Sequence, residues 1–126
     1  MIRYSYNSEI QPPAPFVYLN LRNPADGTEL SQVPAQIDTA ADRTVLPDSV
    51  VNALGLSQIG TTSIGGFGGI VYSLPAYVVD LAIHDLAHQP FKVIASPEEP
   101  WVLLGRDVLN THRFLLDGPG LALEIG

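Results

Sequence analysis

Asp38 is the residue of this chain best placed to do chemistry. It ends the apolar segment Ala35-Gln36-Ile37. A hydroxyl, Thr39, follows it, and then two of the smallest side chains, Ala40 and Ala41. A carboxylate can take up or release a proton during hydrolysis. Small neighbours let another backbone approach closely, either a substrate or a loop of a partner chain. The same letters also describe an Asp-Thr turn that merely closes a strand, and an isolated pair of this kind is that most of the time.

Two further segments have the composition of a site. Ile64-Gly65-Gly66-Phe67-Gly68-Gly69 is a glycine-rich tip between apolar runs. Leu103-Leu104-Gly105-Arg106-Asp107-Val108-Leu109 sets a glycine and a pair of charges directly after a run of buried type. Other features carry less. His84 and His88 have a metal-ligating spacing only on a helix, and the residues around them read as strand and turn, so solvated loop histidines fit better. No Gly-Lys-Ser/Thr follows the glycine run, so it is not a phosphate cradle. Glu98-Glu99 reads as a solvated loop and Trp101 as core or interface. Neither a metal nor a cofactor is expected.

The elements that must hold these segments are short. The chain has 11 glycines and 11 prolines scattered between brief apolar runs, a pattern of β-rich domains with many turns. Residues 1–15 read as an N-terminal arm, because Gln11-Pro12-Pro13-Ala14-Pro15 favours extended geometry. Residues 16–126 read as the folded domain. Within it, residues 16–21 alternate as a strand, residues 23–27 turn, and a second strand covers 29–37. Pro34 marks that strand as an edge or a bulge. Residues 47–55 read as a short helix, with Asp48 or Ser49 as its cap and Gly55 as its stop. Residues 61–72 form a hairpin with the glycine tip. Strands are expected at 77–83, 91–95, 101–104 and 121–125, and a second short helix at 107–112.

The totals restrict the function. The 126 residues fit one domain, and 46% hydrophobic with 15% charged residues suffices for a packed core. Six basic against 13 acidic side chains give a net charge of -7, which repels phosphate backbones and argues against nucleic-acid binding. There are no cysteines, so disulfides and thiol chemistry are absent. No apolar stretch is long enough to span a bilayer. The longest, residues 71–83, is broken by Ser73, Pro75 and Asp80. Met1-Ile2-Arg3-Tyr4-Ser5-Tyr6 does not have the form of a signal peptide, and the expectation is a cytoplasmic protein without a membrane partner.

Three segments in order carry a resemblance. Asp38-Thr39-Ala40-Ala41 resembles the Asp-Thr/Ser-Gly-Ala loop of retroviral-type aspartic proteases, the retropepsins, with Ala40 in place of the usual glycine. The likeness extends through Asp42, Thr44, Val45 and Leu46. The glycine tip is similar to that family's flap, and Leu103-Leu104-Gly105-Arg106-Asp107 to the segment before its C-terminal helix. The resemblance implies an all-β, closed acid-protease barrel with one or two short helices and a flap hairpin. It implies a homodimer, because each chain has one such aspartate and the site needs two.

Asp38 and Thr39 would then be catalytic. Ala40, Ala41, Asp42, Ile64, Gly65, Gly66, Phe67 and Gly68 would bind a peptide or protein substrate. Gly105, Arg106 and Asp42 would support the site, with Arg106 paired to Asp42. The terminal segments, 1–6 and 121–126, would form an interchain sheet, and an acidic pH optimum is expected. The alternative is a weak or inactive dimerisation or peptide-binding module on the same fold, or an adaptor part of a larger assembly. Ala40 would be its mark, because alanine adopts positive φ only at a cost.

Overall fold

The computed structural model describes residues 1–65 and 67–126. Its strands are β1 (Ile2–Ser5), β2 (Phe16–Arg22), β3 (Glu29–Ile37), β4 (Val45–Pro47), β5 (Gly60–Gly65), β6 (Val71–Ile83), β7 (Gln89–Ser96), β8 (Val102–Leu104), β9 (Phe114–Asp117) and β10 (Ala122–Ile125). Two short helices, α1 (Asp48–Leu54) and α2 (Arg106–Leu109), interrupt them.

Six strands close a barrel in the order β2-β3-β8-β4-β7-β6, and β6 returns to pair with β2. Side chains alternate across each strand, so one face of every strand fills the interior. Val17, Leu19, Leu21, Leu46, Val79, Val93, Val102 and Leu104 are all fully buried there. Closure leaves no open edge on the ring itself. β5 is outside the ring and, among the described residues, pairs with β6 alone.

β6 is one continuous strand through Pro75 and not two separate runs. Pro75 pairs with Thr61 of β5, while β7 joins β6 only from Ala76 onward. The ring nitrogen therefore falls where β6 has a single neighbour, a place that tolerates a missing donor. Pro34 follows the same rule, because β8 reaches only Ala35–Ile37 of β3. β3 does bulge, but between Leu30 and Val33, opposite Leu19 and Leu21 and with Gln32 at φ 57°, while Pro34 itself stays in register opposite Tyr18.

α1 lies within the expected span, but neither Asp48 nor Ser49 caps it. Pro47 is the N-cap and no side chain bonds there. Asp48 sits in the first turn, where a negative charge suits the helix dipole. Gly55 ends the helix at φ 65° as expected. The buried Asn23 side chain then donates to the carbonyls of Leu54 and Gly55 at 3.0 and 3.2 Å.

The terminal segments were expected to pair between subunits. Within one chain β1 pairs with β10 and β10 with β9, so the two termini already share a sheet. Leu123 and Ile125 bury against the barrel core, and Ile2 and Tyr4 pack beside them, which gives these strands an apolar reason to stay with their own chain. The residues between β1 and β2 close into a loop through a bridge from Asn7 to Ala14. Among the described residues, no helix is long and apolar enough to cross a membrane.

Candidate active site

The site begins where two parallel strands end together. β3 and β8 run side by side with Ile37 opposite Leu104, so Asp38 and Gly105 emerge as neighbours. The Asp38 amide donates to the Leu104 carbonyl at 3.0 Å. The loop then turns on itself. The Ala40 amide donates to Asp38 Oδ1 at 3.1 Å and the Ala41 amide to the Asp38 carbonyl at 3.2 Å. An aspartate that fixes its own backbone in this way sets the direction of its carboxylate. The side chain is partly buried, and Asp38 Oδ2 accepts no hydrogen bond from any described residue.

A second layer holds that loop from beneath. Thr44 has no exposed surface. Its amide and hydroxyl donate to the two oxygens of Asp107 at 3.1 and 2.8 Å, and its hydroxyl accepts from the Gly105 amide at 3.1 Å. A Cβ on Gly105 would sit 2.6 Å from the Arg43 carbonyl carbon and 2.7 Å from its oxygen, so the two loops touch backbone to backbone. The Arg106 amide donates to the Ala41 carbonyl at 2.8 Å, and Arg106 Nη1 to the Thr39 carbonyl at 2.8 Å.

That last bond corrects an expectation. Arg106 was expected to pair with Asp42, but no ion pair joins them among the described residues. The Arg106 backbone is already tied to this loop, so its guanidinium reaches the nearer Thr39 carbonyl. Asp42 stays exposed. The sequence names Thr44 and Asp107 only as members of the two resembling segments, with no role for either. The signal available was a hydroxyl between a charged and an apolar run, and an acid beside a glycine.

Ala40 takes an ordinary backbone. Among the described residues the non-glycine positions with positive φ are Gln32, His84 and Leu121. The methyl group thus introduces no backbone strain, and Ala40 is exposed.

Above the loop lies the β5–β6 hairpin. A cavity of about 260 Å³ between them is lined by Ala40, Asp42, Arg43, Arg106 and residues 62–65. This brings Ala40, Asp42, Arg106, Ile64 and Gly65 together. Asp38, Thr39, Ala41 and Gly105 do not line it. Thr62 Oγ1 is buried there without a partner among the described residues. Gly66 lies outside the described residues, as does the side chain of Phe67. Gly68 and Gly69 take φ of 78° and 79°, values that glycine reaches without strain.

A further carboxylate senses the site. Burial raises the Glu99 carboxyl above the usual range, and the negative charges of Asp38 and then Glu98 push it the same way. Glu99 therefore lies within electrostatic reach of Asp38.

A closed barrel with an aspartate at the junction of β3 and β8 defines the retropepsin-like acid-protease fold. The family model described as aspartyl protease matches residues 25–108, and the chain belongs to that family. That span holds all the expected site residues. Among solved structures, the EIAV protease complexed with the inhibitor HBY-793 is 24% identical, with a TM-score of 0.57 over 86% of this chain and 93% of that one. A retropepsin-like aspartic protease from Rickettsia conorii is 16% identical, with a TM-score of 0.61 over 98% and 88%. The retroviral protease-like domain of Ddi1 from Leishmania major is 15% identical, with a TM-score of 0.50 over 87% of each chain. At these identities the likeness is one of fold. No curated protein matches the sequence.

Proposed function

We propose that the protein is an aspartic endopeptidase whose site forms between two copies of the chain, each supplying one Asp38. The carrying observation is the state of that carboxylate. One oxygen is pinned by the Ala40 amide, and the other takes no bond from a described residue, at the end of a clamped strand whose following loop lines the cavity under the hairpin.

In aspartic proteases, two carboxylates roughly 3 Å apart cannot both ionise, so the pair holds one proton and titrates as a unit. The ionised partner draws a proton from a water between them, and the protonated partner donates to the scissile carbonyl. Water attacks directly and no covalent intermediate forms. Thr39 braces the pair across the dimer. The hairpin with its Ile64–Gly68 tip closes on an extended peptide and excludes water from the cleft. The substrate lies as an added strand, with alternate side chains in pockets. Ala40, with its ordinary φ, supports an intact loop and with it catalysis over a silent module.

The test is cleavage of a mixed peptide library across pH by the purified protein and by Asp38→Asn, with sedimentation on both. The expected result is cleavage favoured on the acidic side, lost in Asp38→Asn, from a protein that sediments as a dimer. Cleavage that persists in Asp38→Asn would falsify the mechanism. Full activity from a monomer would remove the shared site.

A further inference from the structure

On the β6 side of the hairpin is a second cavity, of about 600 Å³. Tyr72 and Leu74 of β6 line it, with Ser96, Pro97, Glu98 and Glu99 at the end of β7 and just beyond. Its lining is of two kinds. Tyr72, Leu74 and Pro97 offer an aromatic ring and aliphatic surface, and Tyr72 is 51% exposed. Glu98 and Glu99 set two negative charges beside that surface. No lysine or arginine is among the lining residues, and neither glutamate joins an ion pair among the described residues. Glu99 is partly buried and Glu98 is exposed. Tyr72 and Leu74 pair directly with Ile64 and Thr62, which line the first cavity, so the two cavities flank one hairpin.

An apolar wall with a carboxylate end fits one kind of side chain. Lysine and arginine carry a long aliphatic stem and a cationic head, and they lay the stem along apolar surface while the head finds an anion. The exposed face of Tyr72 can add a cation–π contact. A purely apolar side chain would leave both carboxylates unpaired. An acidic one would meet like charge.

We propose that this cavity is a substrate side-chain subsite that selects lysine or arginine, with Glu98 and Glu99 as the residues that set the specificity. The assignment deepens the endopeptidase reading and rests on it. In a symmetric dimer the cavity occurs twice, so a basic residue would be favoured on both sides of the scissile bond.

The experiment compares peptides that differ only by lysine, norleucine or glutamate at each position flanking the scissile bond. Wild-type protein and the Glu98→Gln/Glu99→Gln double variant are both assayed for kcat/KM. Because the carboxylates are largely open to water, the preference for lysine over norleucine at the responsive position should be about fivefold. Glutamate should be the poorest. In the double variant the lysine-to-norleucine ratio should fall towards one. A preference that survives in the double variant, or no preference at any position, overturns the subsite. If no peptide is cleaved, the endopeptidase reading fails by itself, and fluorescence anisotropy of the same labelled peptides decides the subsite. Binding that favours lysine and loses that bias in the double variant upholds it. Equal binding, or none, overturns it.

Discussion

The loop that carries Asp38 and the hairpin above it are built in opposite ways. The loop is fastened through Thr44, Gly105, Arg106 and Asp107, with bonds of 2.8–3.1 Å and a backbone contact that leaves no room for a methyl group. The hairpin has β5 paired to one strand only, and Ile70, Val71 and Tyr72 stand 54%, 67% and 51% exposed near its tip. Free energy is concentrated under the Asp38 carboxylate and withheld from the hairpin. Preorganised groups need a rigid seat, whereas a closing segment must come from the weakly held end of the structure.

The contrast breaks first at Asp107. Asp107→Ala strips the acceptors from a fully buried Thr44 and should lower stability by on the order of 3 kcal/mol in guanidinium unfolding. A loss below about 0.5 kcal/mol would show that the seat is not held there. Gly105→Ala comes next. The added carbon must displace the Arg43 backbone, and overpacking of this kind should destabilise by about 2 kcal/mol. An unchanged midpoint would mean that the two loops separate freely.

The hairpin should answer differently. Val71→Ser should change stability by less than about 0.5 kcal/mol, as exposed positions do. The amides of residues 61–65 should also exchange with solvent faster than those of Thr44 and Gly105. Equal protection in the two regions would erase the distinction.

The smallest effect concerns pH. The Glu99 carboxyl binds its proton more tightly in the folded chain than in the unfolded one, chiefly because of burial. The folded state therefore carries the extra proton between the ordinary and the raised value. Stability falls as pH rises through that interval and is level outside it. Glu99→Gln should remove that slope from a series of unfolding measurements across mildly acidic pH. An identical slope in the variant would assign it to other groups.

Much of this was legible in the sequence because it is local. Asp38 after an apolar run, the glycine tip and the Gly105-Arg106 step each lie within a few residues. The fastening is not local. Thr44 meets Asp107 across 63 positions and Gly105 across 61, and no periodicity marks such a pairing. The expected Asp42–Arg106 pair failed for a related reason. Opposite charges in a sequence suggest partners, but the backbone bond from Arg106 to Ala41 decides what the guanidinium can reach. β9 went unseen because Phe114-Leu115-Leu116 does not alternate, and β1 because it was read as part of an arm. Pro75 divided one strand into two on paper, since its single neighbour becomes visible only with the pairing in place.

Gly105 and Ala40 sit on the two sides of the same junction, and they differ in how freely a lineage can wander. At position 40 a glycine-to-alanine step costs no backbone strain, because the backbone is ordinary and the residue is exposed at the rim of the hairpin cavity. At position 105 the same step collides with main chain, which has no side-chain rotamer through which to yield. Neutral drift around the Asp38 loop is thus channelled to one position and barred from the other. A collection of active descendants should vary at 40 while reading glycine at 105.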